Sequence, residues 1–316
     1  MPGGRPAEGQ ALSLRARLAV AAYVILTWPV MTAFLFGPLA VLIAAGRPRE
    51  RRPWLWLIAL TLWLSLWASQ PGGLLEELVR AAAVVSTGVG VLFLLLSPGS
   101  VSTRALRATA AVAAGTSVLA AVVGVRWADI ELAVVQQGML AQRLALDLAQ
   151  SLGLQVNFAL FDSMGEQIRQ VAPFFPGYLA LLVFIGLCLA ALLAPRITGR
   201  ALTPLAGRFN RFRFSDHLVW LVILGLLGTL FAGGTPAAGP AASLLAFGAG
   251  LYALRGTAVL ATALKYAPPL FVGLLVLGAL FLFPFAVGGL ILLGLADTWL
   301  DFRRRMAPPP PGGLDP

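Results

Sequence analysis

FLFPFAVGGLILLGLADTWLDFRRR, residues 281–305, decides the fold. An apolar run ends there in two aspartates and three arginines, and Lys265 stands just before the run begins. Of the 316 residues, 59% are hydrophobic and only 11% are charged, with a mean hydropathy of +0.87. A soluble domain would need far more polar surface. Such a run is therefore a membrane segment, and it does not alternate as a barrel strand would. The expectation is an all-α polytopic transmembrane bundle of about eight to ten membrane helices.

Working outward, apolar segments fall at about 18–46, 54–69, 74–97, 105–125, 174–194, 217–232, 241–264 and 268–300. The first and last are too long for one simple span. At 1.5 Å per residue, ~30 residues reach ~45 Å, against a ~30 Å hydrocarbon core. Each holds a proline near its centre, Pro29 in ILTWPVMT and Pro284 in LFLFPFAV. Proline removes a backbone donor and clashes with the preceding turn, so it kinks or breaks a helix.

Charge placement chooses between one crossing and two. Basic residues cluster at Arg5–Arg17, Arg47–Arg52, Arg104–Arg107, Arg196–Arg213, Lys265 and Arg303–Arg305, which together hold 18 of the 23. If both end segments are helix pairs, all 18 fall on one side. The positive-inside rule favours that map: ten helices with both termini cytoplasmic. A single kinked helix with an interfacial tail is the alternative for each end segment. Residues 1–14 read as a disordered cytoplasmic start, 15–306 as one transmembrane domain, and 307–316 as a disordered tail.

Between the spans, 127–173 carries Arg143 and Arg169 against five acids. Ile130, Val134, Leu140, Leu144 and Leu148 fall near one helical face, with polar residues over much of the rest. That pattern predicts an extracytoplasmic amphipathic helix, either a plain connection or a lid over an outward-facing cavity.

The net charge of +10 sits in short loops beside apolar runs, so it sets membrane orientation and no nucleic-acid partner is expected. One cysteine and one histidine, His217, give no disulfide and no metal cluster, and no cofactor or catalytic motif is present. An enzyme is not expected. The partners expected are the lipid bilayer and either a second membrane protein or a second copy of the chain. Small residues four apart, such as Ala82, Ser86 and Gly90, predict close helix contacts.

Charges inside apolar runs are costly in lipid and mark candidate sites. Arg255 lies well inside LYALRGTAVL, and Asp297 and Asp301 stand one turn apart. Glu76, Glu77 and Arg80 fall in the first two turns of their span, where acids suit the helix dipole. Arg255 is expected to pair with Asp297 or Glu77, holding the bundle together or receiving an anionic ligand. A small-solute transporter or substrate-capturing subunit would have a cavity lined by Arg255 beneath the 127–173 cap. A non-transporting scaffold would have a filled interior.

Four features resemble the YybS-like family of bacterial membrane proteins, whose domain has no assigned function. They are the turn GPLAVLIAAGRPRERR, the excursion IELAVVQQGMLAQRLALDLAQS, the aromatic-basic lead-in FNRFRFSDHLVWLVILGLL, and LYALRGTAVL with the ending LLGLADTWLDFRRR. The resemblance covers most of residues 15–306 and implies a multi-pass bundle. The chain is also similar in general look to substrate-binding subunits of energy-coupling-factor transporters. Its first helix, RARLAVAAYVIL, lacks their Ala-x-x-x-Ala contact spacing.

Overall fold

A computed structural model describes residues 29–47, 50–152, 158–199, 214–264 and 267–305. The chain's first residues, the tail, and the part of the basic 196–213 loop from 200 onward lie outside the described residues, as does the first half of the 18–46 segment. All regular structure among the described residues is helical. The helices are α1 (Pro29–Ala45), α2 (Arg51–Ala68), α3 (Leu74–Leu96), α4 (Val101–Val122), α5 (Trp127–Ser151) and α6 (Phe158–Val171). They continue with α7 (Phe175–Thr198), α8 (Val219–Phe231), α9 (Ala238–Ala263), α10 (Pro269–Phe281) and α11 (Phe283–Leu300). Among the described residues five helical stretches are long and apolar enough to cross a membrane: α3, α4, Ser163–Thr198, α9 and α11.

Local chemistry sets the helix ends. Glu76 folds back to accept the Gly73 N–H at 2.8 Å, closing the first turn of α3. Ser100 caps α4 by accepting the Thr103 N–H. Gly199, at φ +68, ends α7 in the left-handed conformation that glycine adopts without strain. Midway along α3, Ser86–Gly90 forms a π-helical turn.

The core is built on α7, whose Leu182, Val183, Phe184, Leu187, Ala190 and Ala191 are all buried. Small residues let neighbours approach at backbone distance. Gly186 lies against the backbone of Phe34 in α1, and Gly177 against Ser243 in α9. Gly225 and Gly228 in α8 face Leu245 and Ala241 in α9, so those two helices run antiparallel. Gly256 of α9 and Gly294 of α11 meet backbone to backbone. Gly115 and Gly250, each four residues after an alanine (Ala111 and Ala246), touch Val85 and Leu181 across helix contacts. Gly124 instead takes φ +81 after α4 and packs on nothing.

The 268–300 segment divides at Leu282, whose φ −106 and ψ 38 leave the helix, with Pro284 in the first turn of α11. The two halves meet at that corner rather than along a shared face, and α10 leaves Leu270, Phe271, Leu274 and Val276 uncovered. The amphipathic stretch is a helical hairpin. Gly138 faces Ile168 and Gly165 faces Met139, so α6 folds back on α5. Along α5, Leu132, Leu140, Leu144 and Leu148 are exposed, as an interfacial helix requires.

Candidate functional site

Two places in the bundle carry polar or cavity chemistry. The first is centred on Arg255, fully buried about 12 Å from the C-terminal end of α9. Its Nε donates to Asp297 Oδ2 at 2.9 Å and its Nη2 to the Asp297 carbonyl at 3.1 Å. Its Nη1 donates to Asp216 Oδ1 at 2.8 Å. Phe214 lies over the guanidinium, 5.5 Å from ring centre to Cζ, and meets Tyr252 edge-on. Three elements thus converge: α9 supplies the cation, the last turn of α11 one carboxylate, and the turn leading into α8 the other.

The two acids differ in kind. Asp297 is fully buried, whereas the Asp216 side chain is 57% exposed. A guanidinium offers five donors in a fixed fork, which suits two acceptors from different directions. The lead-in FNRFRFSDHLVW supplies both Phe214 and Asp216, and neither was picked out as a partner in the sequence reading. The available signal was an acid in the first turn of a short span, preceding an arginine in the next helix.

The other singled-out charges lie elsewhere. Asp301 is the left-handed C-cap of α11, at φ +43, and its N–H bonds back to the Asp297 carbonyl. Glu76 is the cap of α3 described above. Glu77 pairs with Arg80 at 2.7 Å and does not reach Arg255. Arg80 also donates to the Gln70 carbonyl and sits over the Trp67 ring at 6.0 Å. Glu76, Glu77 and Arg80 therefore form a local lock on the turn before α3, apart from the Arg255 cluster.

The second place is a cavity between α3, α4 and α7, roofed by Trp127 and Ile130 at the start of α5. The space inside it is ≈ 110 Å³, below the ~300–1,000 Å³ of drug-sized sites and enough for a small apolar group. Ala82, Val112, Ala113, Leu179, Ala180 and Val183 form much of its wall. Among the described residues, no charged residue lines it. This cavity lies under the start of α5, and Arg255 is not among the residues that line it. The guanidinium is already occupied by two carboxylates and sealed by Phe214.

Asp129, outside the spans, sits at the third position of α5. It accepts the Arg126 backbone N–H at 2.8 Å and the Arg126 guanidinium at 3.4 Å. The backbone hydrogen bond first, and then the arginine, hold its carboxyl below the usual carboxylate range. Among the described residues, no group of three or more His, Cys, Asp or Glu could hold a metal ion.

These features define a polytopic α-helical membrane protein with an ion cluster around a buried arginine and a separate apolar cavity. The chain belongs to the family described as "Predicted membrane protein (DUF2232)", which it matches over residues 16–298. No curated protein and no solved structure matches it.

Proposed function

We propose that the chain is a substrate-capturing membrane protein that takes an apolar solute from the bilayer into the cavity beneath α5. The observation that carries this is the combination of an apolar hollow of ≈ 110 Å³, open at one side, and an amphipathic helix whose first turn roofs it. Lipid-facing hollows fill with hydrocarbon at little cost, because no polar group must be stripped of water. The Arg255 cluster supports a structural role: a fully buried cation with two acids ties α8, α9 and α11 together. The protein is read as a binding protein and not as an enzyme.

The arginine bias supports both termini in the cytoplasm, and the resemblance to the YybS-like bacterial family supports a bacterial inner membrane. The resemblance to transporter capture subunits agrees with this function, and transport itself would need a partner. A second reading, a scaffold acting through helix contacts, is favoured by α2, whose Trp54, Leu55, Trp56 and Ile58 are exposed around most of the helix.

The test is thermal stabilisation of the detergent-purified chain by n-dodecane. Wild type is expected to be stabilised, while Ala180→Trp, which fills the cavity, is expected to fold and not respond. An equal response from both variants overturns the capture reading. A stoichiometric copurifying protein with no dodecane response supports the scaffold.

A further inference from the structure

Several arginines use their side chains within the chain. Arg104 donates to the Gly99, Leu94 and Leu95 carbonyls and Arg107 to that of Pro98. Arg80, Arg126, Arg169 and Arg255 pair with acids. Arg47, Arg51, Arg52 and Arg196 differ. All four are exposed, and among the described residues none of them has a side-chain hydrogen bond or an ion pair.

Helix packing gathers the four at one corner. Gly186 of α7 meets Phe34 of α1, and twelve residues further along each chain segment Thr198 meets Gly46. The two helices therefore run parallel and end at the same level. Arg47 follows Gly46 directly, Arg196 stands in the last turn of α7, and Arg51 and Arg52 open α2. Arg47 takes φ +44, a conformation uncommon outside glycine, so the turn itself does not call for an arginine. One acid, Glu50, lies between them in sequence, and its side chain makes no cap hydrogen bond to α2.

Along α2 the side chains then change in the order that a phospholipid does. The two arginines are followed by Trp54 and Trp56, both half-exposed, and by Leu55, Ile58, Leu62 and Leu66, all exposed. Tryptophan settles at the headgroup level, and exposed leucines beyond it face hydrocarbon. Clustered basic residues at the end of a span attract anionic headgroups.

We infer that the corner of α1, α2 and α7 docks an anionic phospholipid, with its phosphate among Arg47, Arg51, Arg52 and Arg196 and its acyl chains along α2. A guanidinium fork matches two phosphate oxygens at once. A zwitterionic headgroup brings its own cation and gains less from four arginines. None of these residues lines the cavity, and the inference does not rest on the capture reading.

The experiment follows the melting temperature of the full chain in neutral detergent as phosphatidylglycerol, or phosphatidylcholine with the same acyl chains, is added. Glycerol phosphate serves as the headgroup alone. Wild type should respond to phosphatidylglycerol at lower concentration than to phosphatidylcholine, and not to glycerol phosphate. Each arginine is expected to contribute about fivefold in affinity, so Arg51→Gln with Arg52→Gln should need about 25-fold more phosphatidylglycerol for the same shift. Adding Arg47→Gln and Arg196→Gln should abolish the preference. Arg143→Gln, which removes an exposed charge on α5, should keep it. The proposal is overturned if wild type answers both lipids equally, if the fourfold variant keeps the preference, or if Arg143→Gln loses it. Stabilisation by glycerol phosphate alone also overturns it, as does an acidic protein that copurifies with wild type in place of any lipid preference. Should the fourfold variant fold poorly, the double variant decides: an unchanged phosphatidylglycerol midpoint refutes the docking.

Discussion

Replacing Arg255 by alanine should be among the most damaging single changes in this bundle. Asp297 has no exposed surface and takes two hydrogen bonds from Arg255, one on its carboxylate and one on its carbonyl. Removing the cation leaves that carboxylate buried against α9 without its main counter-charge. Breaking a buried pair in this way costs about 3–5 kcal/mol. Asp216→Asn should cost far less, about 1 kcal/mol or below, because the Asp216 side chain is 57% exposed and an asparagine oxygen can still accept from Nη1. Arg255→Met combined with Asp297→Leu should recover much of the loss, since a pair replaced by apolar residues of similar volume is often neutral. Cys188, the sole cysteine, packs half-buried on the α7 core. Its reaction with a thiol probe during SDS titration in mixed micelles therefore follows unfolding. A cost for Arg255→Ala within about 1 kcal/mol of that for Asp216→Asn, against the contrast drawn between buried and exposed partners, would refute the reasoning.

Other consequences follow from packing and charge. Gly294→Ala should destabilise strongly, because a methyl there runs into the Tyr252 carbonyl. Gly288→Ala and Gly289→Ala face open space and should be neutral or gain up to about 1 kcal/mol from helix propensity, measured by the same titration. Asp129 has a lowered folded pKa, so its contribution to the start of α5 is present above the unfolded carboxylate range near ~3.9. That contribution is lost as pH falls through the lower folded value. Amide exchange at Trp127–Ile130 should therefore show less protection in Asp129→Asn at neutral pH, and the difference between variants should vanish in strong acid. Reporters fused at both termini should read cytoplasmic; a C-terminal reporter outside would mean that 268–300 crosses once, with α10 at the surface.

Much of the helical plan was legible because lipid imposes it: an unbroken apolar run of membrane length has few other ways to bond its backbone. The break at Leu282 was legible from Pro284, which sits comfortably only in a first turn. That α10 would not pack along α11 was not, since both are apolar all round and carry no stripe to set a face. Arg255 with Asp297 could be anticipated because a charge in a span must be paired. Asp216 could not be singled out in the same way. It lies in a turn beside a basic loop, where an acid has many ordinary reasons to be. The cavity was invisible in the sequence. Its walls come from four helices, and alanines such as Ala82, Ala113 and Ala180 read equally well as close-packing residues.

The most direct measurement of the central claim is native mass spectrometry of the chain extracted from its own membranes, beside Ala180→Trp. The account predicts that wild type carries a small apolar molecule in near one-to-one ratio and that the cavity-filled variant, equally folded, does not. The same apolar species on both proteins, or none on wild type, would contradict it.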